Sequence, residues 1–135
     1  MKTIGVLGGL GPQATMDFEA RVHRVAQCLI PQDGNQGYPP MVVYYFREPP
    51  ITLPADGSLP TTLIPANPRL LDAAQRLGAW ADFLVITSNG VHFFQEEIEQ
   101  AADCKVLSMI DVTVNEVQRR NLKHYDLRSW VCRTR

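Results

Sequence analysis

The run Phe83-Leu84-Val85-Ile86-Thr87-Ser88-Asn89-Gly90-Val91-His92 passes abruptly from apolar side chains to hydroxyl, amide, glycine and imidazole groups. Such a run reads as a strand that ends in groups able to bind a ligand or move a proton. In open α/β sheets, ligands bind outside the carboxyl ends of the strands, so this is where chemistry is expected. Nothing in the run is a strong base. Ser88 needs an activating partner to act as a nucleophile, and His92 is the ionisable side chain closest to it in sequence. An imidazole's ordinary pKa of about 6.5 makes His92 the candidate proton carrier. A plainer reading of the same residues stays open: Ser88 or Asn89 caps the following helix, worth about 1 kcal/mol, and His92 packs inside it.

A second junction carries chemistry of another kind. Gly8-Gly9-Leu10-Gly11-Pro12-Gln13-Ala14-Thr15 is a glycine-rich turn that opens a helix, whose free N–H groups and dipole attract a carboxylate or phosphate. Gly9, Gly11 and Ala14 also fit the dinucleotide pattern G-x-G-x-x-A. That pattern needs an acidic residue at the end of the second strand, whereas the chain has Tyr45-Phe46-Arg47 there. A tight turn with no ligand is the alternative. Arg47 can pair with a substrate carboxylate through two parallel hydrogen bonds, or simply solvate the surface.

These groups need a scaffold. Apolar runs at 3–7, 41–46, 82–87 and 105–109 read as short strands. Helical spacing marks 14–29, with Phe18, Val22, Val25, Ala26 and Leu29 inward; 91–102, with Phe94, Ile98 and Ala101 inward; and 111–121, with Val114 and Val117 inward. Asn67-Pro68 is an N-cap followed by proline at the first helical position. Leu70, Leu71, Ala74 and Leu77 then share one face, and Gly78 is placed as the C-cap. The segments 32–40 and 48–68 are rich in proline and glycine and read as loops. The β-α alternation predicts an α/β fold with a parallel sheet of about four strands and helices on both faces.

Composition narrows the function. The chain has 135 residues, 45% hydrophobic and 20% charged, with a formal net charge of -1, as expected of one globular domain. Near neutrality and without a long charged block, it offers little to nucleic acid or an anionic membrane, so a small molecule or a protein is the expected partner. No apolar run approaches the roughly 20 residues of a membrane span, and the start Met1-Lys2-Thr3-Ile4-Gly5 lacks the apolar stretch of a signal peptide, so a cytoplasmic location is expected. Cys28, Cys104 and Cys132 form no CxxC pair, so no metal site is expected and buried structural thiols are the reading.

Three segments together resemble the aspartate/glutamate racemase family: 4–18, beginning Ile4-Gly5-Val6-Leu7-Gly8-Gly9; Ser88-Asn89-Gly90-Val91-His92; and Val106-Leu107-Ser108-Met109-Ile110-Asp111. The resemblance covers about residues 3 to 120. It implies a two-lobed α/β fold that racemises an acidic amino acid without a cofactor, one lobe's cysteine removing the α-proton and the other's returning it. The first cysteine falls on Ser88 and the following amide on Asn89, while Thr15 and Arg47 fall in the substrate-carboxylate region. The family's cysteine-asparagine-threonine-alanine-histidine is Ser88-Asn89-Gly90-Val91-His92 in this chain, so the thiol is replaced and a carboxylate-binding hydroxyl has become glycine. The resemblance therefore implies a dicarboxylic amino acid bound through Gly9, Gly11, Thr15, Arg47, Asn89 and Gly90. Proton abstraction at Ser88 should be impaired, and an inactive carboxylate-binding module is the alternative. Residues 1–122 match one lobe. The tail 123–135 does not read like the start of a second; a frame change or premature stop is the expected origin, with a natural basic tail as the alternative. An apolar face left without its lobe should then favour a homodimer.

Overall fold

The computed structural model of the protein describes residues 1–34, 36–52 and 64–121. Three parallel strands, β1 (Ile4–Gly8), β2 (Met41–Tyr45) and β3 (Phe83–Ile86), lie in the order β2-β1-β3. In register, Val6 lies beside Val43 and Val85, and Leu7 beside Tyr44 and Ile86. The two-residue period of a strand therefore turns Leu7, Leu84 and Ile86 to one face of the sheet and Val6 and Val85 to the other.

The first face holds the main core. Helices α2 (Pro68–Gly78) and α3 (Gln95–Ala102) close over it, burying Leu70, Leu77 and Ile98 against Leu7, Leu84, Ile86 and Phe46. Each leucine or isoleucine fully withdrawn from water contributes about 1.5–3 kcal/mol. The expected start of α2 is present: Asn67 Oδ1 accepts the Arg69 N–H at 3.0 Å, and Pro68 follows. Gly78 ends this helix but is not a left-handed cap. A Cβ at residue 78 would sit 1.9 Å from the Ala102 carbonyl oxygen, so glycine there lets the ends of α2 and α3 meet.

The second face is more open. Helix α1 (Pro12–Leu29) buries Thr15 and Ala26 alone, while Val25 and Leu29, expected inward, are exposed. Beside it Phe18, Val22, Val25 and Leu29 line a shallow apolar groove with Ile30 and Pro39. Helix α4 (Met109–Arg119) buries no residue, and Val114 is exposed against expectation. Cys28 is exposed rather than buried, Cys104 is half-buried, and Cys132 lies outside the described residues with the rest of the segment 123–135. No described helix is long and apolar enough to cross a membrane.

Two expected elements take other forms. The helix expected over 91–102 begins as a 3₁₀ helix (Asn89–Phe94) and becomes α-helical only at Gln95. The fourth expected strand contracts to a single parallel bridge, with Leu84 N–H donating to Lys105 O and Leu107 N–H to Leu84 O, both at 2.8 Å. Ser108 caps α4 directly afterwards, accepting the Asp111 N–H at 3.2 Å, so the chain leaves the sheet before a strand can extend. A side chain takes the outward-facing donor: Glu99 accepts the Val106 N–H at 3.0 Å and pairs with Lys105 at 2.8 Å.

The Lys105 hydrogen bond, aided by the Val106 N–H, holds the Glu99 carboxyl below its usual range. A lowered folded-state pKa stabilises the fold above the ordinary carboxylate value of about 4.3, and that contribution is lost as pH falls through the lowered value. Denaturant titration should therefore find Glu99→Gln about 0.5–1 kcal/mol less stable than wild type at pH 7. The difference should close on acidification, and a gap independent of pH would refute the assignment.

Candidate functional site

With the strand order β2-β1-β3, the chain leaves β1 toward one edge and returns to the other side of it at β3. The crevice at such a switch point, outside the carboxyl ends of the strands, is where open α/β sheets bind ligands. Both chemistry-bearing junctions of the sequence open there, the glycine turn after β1 and Thr87-Ser88-Asn89-Gly90 after β3.

Thr15 ties the two junctions together. It is completely buried, and its Oγ1 accepts the Gly9 N–H at 3.0 Å, donates to the Gly11 carbonyl at 3.3 Å and lies 2.8 Å from Thr87 Oγ1. A hydroxyl has one proton to give and two lone pairs, so every group is satisfied when Thr87 donates to Thr15. The turn is shaped around this contact. Gly9 has φ +87°, and a Cβ there would stand 2.7 Å from the backbone of Tyr45 and Phe46; a Cβ at Gly8 would meet Thr15 Cγ2 at 2.5 Å. Packing thus accounts for Gly8 and Gly9 without a phosphate. It makes no such demand at Gly11, where a Cβ meets nothing nearer than 3.9 Å, or at Gly90, where it meets nothing within 4 Å.

The two helix starts that face the crevice are bare. Gly11 and Ser88 sit at the N-cap positions of α1 and the 3₁₀ helix, and neither helix start has a side-chain cap or an acidic residue in its first turn. Helices α2 and α4 carry Asn67 and Ser108 caps. Ser88 therefore does not do the capping work that the plainer sequence reading gave it. With Pro12 at the first position of α1, the N–H groups of Gln13 and Ala14 remain without intrahelical acceptors.

Ser88 is partly buried, whereas Asn89 and Gly90 are exposed at the rim. His92 is buried and reaches the backbone on both sides: Nδ1 lies 2.9 Å from the Ser88 carbonyl, and Nε2 accepts the Met109 N–H at 3.3 Å. Its contact with Ser88 is thus to the carbonyl, not the hydroxyl. Arg47 stands apart, exposed just beyond β2 with its guanidinium 5.7 Å from the Tyr45 ring centre. The Phe46 N–H, donating to Gly8 O at 2.8 Å, holds this strand end against the glycine turn. Tyr45 donates to Glu19 at 3.0 Å, and desolvation together with that carboxylate raises the phenol above its usual pKa. Among the described residues, no three His, Cys, Asp or Glu side chains gather as metal ligands do.

Comparison with known proteins places this geometry. The sequence pattern of the family Asp/Glu/Hydantoin racemase matches residues 7–125. The chain belongs to that family. It is 30% identical over 123 residues to the broad specificity amino-acid racemase RacX of Bacillus subtilis, an alignment covering 84% of this chain and 48% of RacX. The fold is shared with an aspartate racemase homologue from Pyrococcus horikoshii (TM-score 0.66, 20% identity, 89% of this chain and 50% of that one). It is also shared with a putative Asp/Glu racemase from Yersinia pestis (TM-score 0.58, 17% identity, 90% and 50%). The chain thus spans about half the length of these relatives.

Thr87 is the site residue to which the sequence analysis gave no role of its own. Strand alternation could have found it, because it follows Val85 on the α1 side of the sheet and so faces Thr15. Removing the shared hydroxyl is expected to destabilise the fold. Thr15→Val leaves the Gly9 N–H and Thr87 without their partner and should cost about 1–3 kcal/mol in denaturant unfolding, whereas Thr15→Ser should cost less. A loss in Thr15→Ser with none in Thr15→Val would show that the methyl group, not the hydroxyl, carries the contact.

Proposed function

We propose that this chain is an amino-acid racemase-like lobe that binds the carboxylate of an acidic amino acid at the β1/β3 crevice, with Ser88 in the position of the proton-abstracting group. The observation that carries the reading is the convergence of two uncapped helix starts, free of acidic side chains in their first turns, on the crevice that holds Ser88. Free N–H groups and the positive end of the α1 dipole favour a carboxylate there. Gly11 and Gly90 leave the approach unobstructed, Asn89 offers an amide at the rim, and Arg47 supplies positive charge on the β2 side.

The reaction in this reading is cofactor-independent. A base at residue 88 takes the α-proton, and the electron pair left on Cα delocalises into a carboxylate held by backbone N–H groups. The proton then returns. A thiol suits this role, because its pKa of about 8.5 gives a usable fraction of thiolate near neutrality. A serine hydroxyl is a far weaker acid, and each pKa unit of mismatch costs about 1.36 kcal/mol. His92 offers little help as a base for Ser88, since both its ring nitrogens are engaged by backbone groups. Abstraction is accordingly impaired in the chain as it stands. The same observation favours a second reading, a carboxylate-binding module without turnover.

Proton exchange separates the two. With aspartate or glutamate in deuterated buffer, NMR should show slow loss of the α-proton signal with wild type and faster loss with Ser88→Cys, while calorimetry detects binding to both. Exchange needs one base only, so this chain can report it without a second base. Binding without exchange in either protein supports the module; absence of binding removes both readings. We further infer that the exposed apolar faces of α1 and α4 pair with a second copy, so light scattering should give twice the chain mass, and a monomer would contradict this.

A further inference from the structure

His92 has a defined chemical state in this fold, and its two partners dictate it. A carbonyl oxygen only accepts, so the ring nitrogen 2.9 Å from Ser88 O must carry a hydrogen. A backbone N–H only donates, so the nitrogen 3.3 Å from Met109 N must be bare. The imidazole is therefore neutral and in its Nδ1–H form, with both nitrogens used and 9% of its surface exposed. Its partners belong to different elements. Ser88 is the N-cap of the 3₁₀ helix at the crevice, and Met109 is the first residue of α4, a helix that buries no side chain of its own.

We propose that His92 is a positioning residue that bridges the β3 strand-end loop to the start of α4, so that the direction of the residue-88 side chain and the placement of α4 are set together. The ring does not exchange protons with a substrate; it holds the peptide that carries the reacting side chain. Next to it, Ser108 is buried and caps α4 through the Asp111 N–H, so the helix start arrives preformed and the imidazole has a fixed donor to receive. The bridge spans 17 residues of sequence and joins the second and third segments that carry the family resemblance. Its bearing on turnover rests on the racemase-like reading of the crevice, whereas the bridge itself can be measured without a substrate.

The test uses the full chain, labelled with ¹⁵N at histidine. Long-range ¹⁵N–¹H correlation near neutral pH should show His92 with one protonated nitrogen, Nδ1, and one bare, Nε2; an imidazolium or an Nε2–H ring overturns the proposal. Two near-isosteric variants then divide the bridge. His92→Asn puts an amide nitrogen where Nδ1 lies, retaining the bond to Ser88 O and releasing Met109. His92→Gln puts an amide oxygen where Nε2 lies, retaining Met109 and releasing Ser88. Loss of a hydrogen bond worth roughly 1.4 kcal/mol raises amide exchange roughly tenfold. His92→Asn should therefore speed Met109 exchange about tenfold, and His92→Gln should leave it near the wild-type rate. Equal behaviour of the two variants overturns the bridge even if both fold. A wild-type spectrum with the expected ring form, in a protein whose Ser88→Cys variant exchanges no α-proton, would leave the bridge standing and remove the racemase-like reading alone.

Discussion

The hydroxyl of Thr15 is the point on which the site end of this molecule depends. It joins the turn after β1, the first turn of α1 and the first side chain beyond β3, and it is fully buried while doing so. Its effect reaches backward into the sequence. Thr15 can sit against β1 only if residue 8 has no side chain, and the turn can bring Gly9 N–H to Thr15 only through a positive φ, packed against the backbone leaving β2. A donor left unsatisfied there costs more than a hydrogen bond on the surface contributes, so the contact constrains geometry more than it adds stability. One buried hydroxyl thus ties the turn after β1 to the end of β3.

Around that point the packing is unequal. The α2 and α3 side of the sheet is closed by leucine, isoleucine and phenylalanine, while α1 and α4 expose much of their apolar surface. Helical periodicity is present in all four helices, but periodicity specifies which residues can face a partner and not whether a partner is present. For α2 the two coincide, since the Asn67-Pro68 start aims Leu70, Ala74 and Leu77 at the sheet. For α4 they do not, and of its polar contacts it is the His92 ring that ties its start to the fold, while the Ser108 cap and the Glu116 pairs with Arg119 and Arg120 lie within the helix and its C-cap.

The same distinction explains what could be read from the residues alone. The three strands, the α2 cap and the placement of both chemical junctions at strand ends follow from local pattern, and all are present. The fourth strand failed as an expectation because Lys105-Val106-Leu107 has the composition of a strand, but Glu99 takes the Val106 N–H and Ser108 starts a helix at once. Thr15 was legible as important and illegible in position. The family resemblance implies a place for it in the substrate-carboxylate region, yet only the closure of β1 on β3 turns its hydroxyl inward to Thr87. Gly78 was expected to adopt a special backbone angle, whereas it admits a neighbouring carbonyl, and a contact with Ala102 leaves no trace in local sequence.

Ser88 and His92 look, in sequence, like a nucleophile and its base. In the fold their relation is reversed in kind, because the imidazole takes the backbone of residue 88 and leaves its side chain alone. A base acting on Ser88 would need a nitrogen free to accept the hydroxyl proton, and the Met109 N–H already occupies the one bare nitrogen. His92 thus holds the backbone of residue 88 without engaging its side chain. That arrangement suits a group acidic enough to ionise unaided, which a thiol is and a hydroxyl is not. The geometry that argues against a Ser88–His92 catalytic pair is therefore the geometry on which the proposed role of a thiol at residue 88 rests.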